Sequence, residues 1–565
     1  MRDPERKIPF NYTSAADDQI VVHLFGSAFL KTIQDLDPKK GTGRSARLLY
    51  RFMGDLFIIA RNPFLFQELV ARPIQRRQLF SEFEKDLAVI EQAARHPEVF
   101  QMLDTCRQTL EERNHQISVQ AAFQKKILRV LGPVVGKDNI YFDPFTLVAH
   151  ATDATDWRRF LPKAVLRPDN ESQVPVLMKK IRDLGLRIIP RGAGTGLTGG
   201  ATPLTSDCVM INTEKLNRIV SIDPLEEIKD SGCFAMELQA GVITQDAKDA
   251  AREHGLIFAT DPTSAWACTI GGNLSENAGG KTAVLFGTAL DNVLSYRIVM
   301  PDSRVYTVVR KHHPGRKILF TDQVVFDVTD DTGRIIRTIE LTGADIRKKG
   351  LGKDVTNKYL NGLPGIQKEG CDGIITRARF ILYPVFSFKK TCCIEFFGND
   401  MTEAGQVITR ISDTFANADP TVMALEHFDE AYIKAIDYKT KNGAGSRLKA
   451  VLLVDLVSND PQRLAAGTDT LAAILEPFEK TGLTIAETDE QAQRFWEDRK
   501  RLGAIAAHTN AFKLNEDIVL PLASQADFVK FVDTINLEEK AVNQARIIDD
   551  LVTYLDRAVP LADPQ

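Results

Sequence analysis

The stretch Pro190-Arg191-Gly192-Ala193-Gly194-Thr195-Gly196-Leu197-Thr198-Gly199-Gly200 constrains this chain more than any other. Five of its eleven residues are glycine. Without Cβ atoms the backbone can take positive φ, and consecutive N–H groups can turn inward as an anion nest. A phosphate or diphosphate is the natural guest. Gly194 to Gly199 spells G-x-G-x-x-G, but a dinucleotide fingerprint must run from a strand into a helix whose N-terminus meets the phosphates. Here Thr202-Pro203-Leu204-Thr205 follows, then the strand-like Cys208–Asn212. That excludes a Rossmann reading, and the absence of Gly-Lys-Ser/Thr excludes a P-loop.

A second loop runs from Asp261-Pro262-Thr263-Ser264 to Gly271-Gly272-Asn273-Leu274-Ser275-Glu276-Asn277-Ala278-Gly279-Gly280. Its two Gly-Gly pairs, with small residues and amides between them, let main chain approach a flat ligand and offer neutral donors. A third segment, Glu369-Gly370-Cys371-Asp372-Gly373-Ile374-Ile375-Thr376, is a turn leading into a strand.

Around these loops the pattern predicts an α+β protein of three domains, 1–150, 151–387 and 388–565. The first reads as helical over 19–36, 44–60 and 76–96, with an N-cap signal in Asn11-Tyr12-Thr13-Ser14 and Asp17-Asp18. The second alternates short strands (186–190, 208–212) with Gly-rich loops. It holds a helix over 244–255 with Thr244 as N-cap and Gly255 as stop, and a hairpin over 324–341. The third alternates strands at 391–397, 422–426, 449–456, 483–487 and 512–520 with helices at 401–416, 427–438, 460–478 and 490–507. That is a split β-α-β, ferredoxin-like pattern with one helix layer.

Composition excludes several classes. A net charge of −4 argues against nucleic-acid binding. No apolar run approaches the roughly 18 residues of a membrane span, and the opening Met1 to Phe10 lacks a secretory apolar region. A cytoplasmic protein, or one peripheral at the inner face of the membrane, is expected. Seven scattered cysteines without a Cys-x-x-Cys exclude a self-contained iron–sulfur or zinc-ribbon site. Cys392 and Cys393, adjacent in a strand, are expected on opposite faces. Arg72, Arg76 and Arg77 read as a solvated helix face, the alternative being a docking patch for an acidic partner.

The three loops, in this order and spacing, resemble the PCMH-type FAD-binding domain of the vanillyl-alcohol oxidase / p-cresol methylhydroxylase flavoproteins. The likeness is greatest to D-lactate dehydrogenase and glycolate oxidase FAD subunits. It covers 155–387 and extends over 388–522, which resembles the cap domain of FAD-linked oxidases. The N-terminal run resembles the helical extension of very large bacterial FAD/iron–sulfur oxidoreductases. The resemblance implies an extended FAD. Its diphosphate would sit on Pro190, Arg191, Gly192, Ala193, Gly194, Thr195, Gly196 and Leu197. Its isoalloxazine would lie near Pro262, Thr263, Ser264, Gly271, Gly272, Asn273, Ser275, Asn277, Gly279 and Gly280, and Ile374 and Ile375 would meet its ribityl or adenine side. Members that bind FAD covalently use a His in the first loop; none stands here, so a non-covalent FAD is expected. Cys268 reads as a packed small side chain.

Oxidising a 2-hydroxy acid requires a cation for the carboxylate, a base for the hydroxyl proton, and a Cα hydrogen facing the flavin. Phe495-Trp496-Glu497-Asp498-Arg499 resembles the family's aromatic-x-x-Arg segment, whose arginine binds the substrate carboxylate; the alternative is a salt bridge to Glu497, Asp498 or another acid. Phe512-Lys513-Leu514-Asn515-Glu516-Asp517 resembles the strand that supplies a second carboxylate-binding lysine, Lys513. Candidate bases are His508, nine residues past Arg499, and His427, expected to open a cap helix. His312 and His313 read as solvated. The family's His-x-Gly-Asp-Gly-Asn-x-His metal segment does not occur before Gln565, so the cap domain is expected to be incomplete and no metal ligand is assigned. The expected activity is oxidation of a D-lactate-like D-2-hydroxy acid to the 2-keto acid. Electrons would pass to an iron–sulfur partner subunit, a quinone or a cytochrome. The alternatives are an FAD-binding subunit or scaffold, silent without a metal- and iron–sulfur-containing partner, and an NAD(P)H-linked flavin reductase, against which the long cap and Arg499 speak.

Overall fold

The computed structural model describes residues 17–35, 44–155, 157, 160–228, 231–348, 351, 355, 357–441, 447–501 and 518–558. Six helices come first: α1 (Asp17–Phe25), α2 (Ser27–Asp35), α3 (Arg44–Arg61), α4 (Pro63–Ala71), α5 (Pro73–Ala93) and α6 (Pro97–Val135). The stretch expected as one helix over 19–36 breaks at Gly26, whose φ of 87° suits glycine alone. The cap signal at 11–14 lies outside the described residues. Proline opens α4, α5 and α6, where its missing N–H costs nothing. Phe52, Leu56, Phe83, Leu87, Leu103 and Leu110 form the core between these helices.

α6 does not end at that core. Its second half presents Ile127, Leu131 and Val135 to a small sheet. That sheet contains β1 (Ile140–Tyr141), β2 (Ala164–Leu166), β3 (Arg187–Arg191) and β4 (Cys208–Asn212), in the order β1-β2-β4-β3. α7 (Pro144–Ala149) follows β1, and α8 (Gln173–Asp183) carries the chain from β2 to β3, both of which run parallel to β4. Because β1 pairs with β2, the boundary expected at 150 falls inside one packed unit.

The second sheet comprises β5 (Ile219–Pro224), β6 (Phe234–Gln239), β7 (Leu256–Phe258), β8 (Val293–Val299), β9 (Val305–Arg310), β10 (Gln323–Thr329), β11 (Ile335–Thr342) and β12 (Ile374–Pro384). Its order is β11-β10-β9-β8-β12-β6-β5, with β7 also on β12. The expected hairpin is β10–β11. Between strands lie α9 (Thr244–Glu253), α10 (Ile270–Ser275), α11 (Ala283–Phe286), α12 (Ala289–Asn292) and α13 (Gly343–Ile346). Ile243, not Thr244, is the N-cap of α9. The Thr244 hydroxyl instead donates to the Cys268 carbonyl at 3.1 Å and accepts from Asn273 Nδ2 at 2.7 Å, stitching the second loop to α9. Nor is His313 solvated. It is buried, with Nε2 on the Asp291 carbonyl at 2.7 Å and Nδ1 accepting from Gly315 N–H at 3.0 Å.

The third region holds β13 (Phe388–Phe397), α14 (Thr402–Thr414), β14 (Thr421–Phe428), α15 (Glu430–Ala435), β15 (Leu448–Ser458), α16 (Pro461–Leu475), β16 (Thr481–Ile485) and α17 (Asp489–Glu497). The strands form an antiparallel sheet, β14-β15-β13-β16. Cys392 joins α14 and α16 on one face, and Cys393 joins α15 and α17 on the other. The single helix layer expected from sequence is therefore two, because Phe495 and Trp496 of α17 need an apolar surface as well. The strand expected over 512–520 lies outside the described residues as far as 517. α18 (Gln525–Ala558) closes the described chain.

Candidate functional site

The first loop leaves β3 at its carboxyl end and returns as β4, with no helix between. It faces the second loop across a cleft of about 360 Å³. Pro190 to Thr198, Gly200 and Ala201 line one side. Pro262, Ser264, Cys268, Thr269, Gly271 to Asn273 and Ser275 to Ala278 line the other, and Glu369, Gly370, Gly373, Ile374 and Ile375 close the end. Among the residues expected around the cofactor, Thr263, Gly279 and Gly280 do not line the cleft. Gly280, at φ 139°, packs on the Asp261 carbonyl so closely that a Cβ could not fit, and thereby closes the second loop on itself.

The loop amides are open. None of the N–H groups from Gly192 to Leu197 donates to the protein among the described residues. Six unpaired donors in a row are rare, because protein main chain normally satisfies its N–H groups; here they can serve an anion. Opposite them, the buried Thr269 Oγ1 has no partner either, and Gly192 lacks the Cβ that would run into it. An orphan hydroxyl, a row of free amides and a cradle that a side chain would fill suit a diphosphate-bearing cofactor. Arg191 lines the cleft, and its side chain has a bracing part as well. Its buried guanidinium donates to the carbonyls of Thr152 at 2.6 Å, Ala201 at 3.2 Å and Ala149 at 3.3 Å, so it braces the loop from behind. Cys268 is packed as expected: its thiol lies 3.1 Å from Thr244 Oγ1, and burial pushes its pKa up.

Beyond Pro262, the second loop meets the β14–β15–β13–β16 sheet. Arg499 is buried. Its Nε donates to Glu426 and its Nη2 to the Asp261 carbonyl at 3.2 Å, leaving Nη1 without a partner among the described residues. Its partner is thus neither Glu497 nor Asp498 but a residue of β14. Burial raises the Glu426 pKa, against the pull of Arg499. Burial would also raise Asp261, but Lys248, Lys281 and Arg499 hold its pKa down. Lys281 lies 3.8 Å over the Trp496 ring and 3.9 Å from Asp455. Asp455 in turn accepts from Trp496 Nε1 at 3.0 Å and Thr391 Oγ1 at 2.6 Å. Sequence reasoning missed Glu426, Lys281 and Asp455, which sit far from Arg499 along the chain.

His427 does not open a helix. β14 runs through it to Phe428, and Asp429 caps α15 by accepting from Tyr432 N–H at 2.8 Å. One residue from Glu426 on a strand, it points to the opposite face from Arg499. Its Nε2 is buried without a partner, and burial pulls its pKa down to about 4. His508 and Lys513 lie outside the described residues.

Comparison with known proteins fits this geometry. Residues 162–308 match the family described as FAD binding domain, and 396–545 match FAD linked oxidases, C-terminal domain. Residues 3–115 match a family described as protein of unknown function (DUF3683). A glycolate oxidase subunit of Bacillus subtilis is 27% identical over 73% of this chain and 76% of its own length. A D-lactate dehydrogenase of Archaeoglobus fulgidus is 35% identical over 26% of this chain, and the chain spans only 30% of that relative's length. A crystal structure of p-cresol methylhydroxylase with substrate bound covers 65% of this chain and 68% of its own, at 17% identity and a TM-score of 0.46. The two matched domains make FAD the cofactor, in an α+β chain with a helical N-terminal region.

Proposed function

We propose that this FAD-dependent oxidoreductase, of the type to which glycolate oxidase subunits and D-lactate dehydrogenases belong, oxidises a D-2-hydroxy acid to its 2-keto acid. Electrons would then pass from the protein to an iron–sulfur partner, a quinone or a cytochrome. The observation that carries the reading is the row of free amides from Gly192 to Leu197 in one cleft with the second loop, whose Asp261 end holds Arg499. The amides would hold the diphosphate, and Thr269 Oγ1 gives one further hydrogen-bonding group. Bound there, FAD supplies a hydride acceptor. Arg499 Nη1 would take the substrate carboxylate, while Glu426 and the Asp261 carbonyl fix the plane of the guanidinium. His427, turned to the other face, is no base for this site.

One observation favours the second reading, a flavin-holding subunit silent on its own: Glu426 already neutralises Arg499. An anaerobic screen of D- and L-2-hydroxy acids against the yellow protein, with and without divalent metal, separates the two. Bleaching by D-acids, with Arg499→Ala raising KM, supports the dehydrogenase. A flavin that no hydroxy acid bleaches leaves the holding subunit.

A further inference from the structure

The first loop is lined by an acid. Glu276, the C-cap residue of α10, faces the open cleft from the second loop. Its Oε1 lies 3.4 Å from where a Cβ would stand on Gly196 and equally 3.4 Å from the corresponding point on Gly200. Its Oε2 accepts weakly from Thr198 Oγ1 at 3.4 Å. A carboxylate here would stand beside Gly196, inside the row of amides that suits an anion, and would repel that anion. The surroundings already oppose its charge. The groups facing it are Glu369, Cys371 and Lys358 from the third segment and the loop before it, Asp153 beyond α7, and Thr198. Lys358, the one cation among them, pairs with Glu369. Glu276 stands exposed to the open cleft; the protein packed around its carboxyl, then Glu369, pushes its pKa up to about 7, and a ligand covering it would add to the first of these.

We propose that Glu276 is a protonation gate on the cofactor site: FAD seats only on the neutral carboxylic acid, which then donates its O–H to a diphosphate oxygen, so that binding takes up one proton. The inference rests on the reading of Gly192 to Leu197 as the diphosphate site. Its sign is fixed. The diphosphate raises the Glu276 pKa further, so affinity is flat below pH 7 and falls above it, by up to tenfold per pH unit. A neutral amide in the same place would keep a donor and lose the dependence.

The test is FAD titration of the full chain, stripped of cofactor, between pH 6 and pH 8.5, followed by flavin fluorescence. Calorimetry in buffers of different ionisation enthalpy counts protons. The wild type should lose affinity above pH 7 and take up close to one proton at pH 8. Glu276→Gln should be flat, proton-neutral, and tighter than wild type at pH 8.5. Glu369→Gln, which removes the acid beside it, should move the onset of weakening to lower pH. A wild-type affinity independent of pH, or a Glu276→Gln profile that still tracks the wild type, overturns the gate while leaving the diphosphate site standing. Failure of the wild type to bind FAD at any pH overturns the diphosphate reading and the gate with it.

Discussion

Gly192→Ala is the sharpest perturbation of the cleft. An alanine Cβ at this position would run into Thr269 Oγ1, while the Thr269 Cβ and Cγ2 would stand at 3.4 and 3.6 Å, near ordinary contact. The whole conflict is therefore with one hydroxyl. Overpacking of this kind costs about 1–3 kcal/mol, here charged to the approach of the two loops. At roughly 1.4 kcal/mol per decade, FAD should bind about 5- to 150-fold more weakly. Thr269→Ala removes the obstructing atom. By itself it should weaken FAD by no more than one hydrogen bond, about 0.5–1.5 kcal/mol. In the double variant the alanine has room, so most of the Gly192→Ala loss should return. The assay is FAD affinity by fluorescence for all four proteins, with the coupling energy read from the cycle. Wild-type affinity in Gly192→Ala, or losses that simply add in the double variant, would refute the account of how the loops meet.

Two more predictions concern the scaffold. Arg347 holds buried Asp291 through two bonds of 2.8 and 2.9 Å. Arg347→Met should cost about 3–5 kcal/mol, the range for stripping one partner from a buried ion pair, read as a lower denaturant midpoint. His150 and His313 are held neutral, their pKa values lowered by burial and nearby arginines to about 4 and about 3. The unfolded chain therefore binds more protons below pH 6.5, and stability should fall as pH drops from 6.5 toward 4. Melting temperatures at pH 7 and pH 5 check this, and His313→Gln should flatten part of the slope.

Much of the cleft was legible because glycine spacing is a local code. Backbone that must bare its amides cannot carry side chains, so Gly192, Gly194 and Gly196 announce the loop without any knowledge of its neighbours. Partners were not legible. That Arg191 would spend its guanidinium on three carbonyls, and Arg499 on Glu426, depends on segments 10 to 73 residues away. The same holds for His427: a strand that runs two residues past its expected end at 426 turned it from the cleft. His313 looked solvated because its neighbours are polar, yet Asp291 and Gly315 supply both hydrogen bonds its neutral ring needs.

The 39 residues of α6 make a rod of about 58 Å whose two ends are anchored in different interiors. The far end braces the strands from which the first glycine loop springs. Trimming the chain past Ile127 would uncover the floor of the small sheet, so the end of the leading helical block is a foundation for the cofactor's cradle rather than an appendage. Tightening of the cradle by its ligand should slow amide exchange through the last turns of the rod first, and toward its beginning after that.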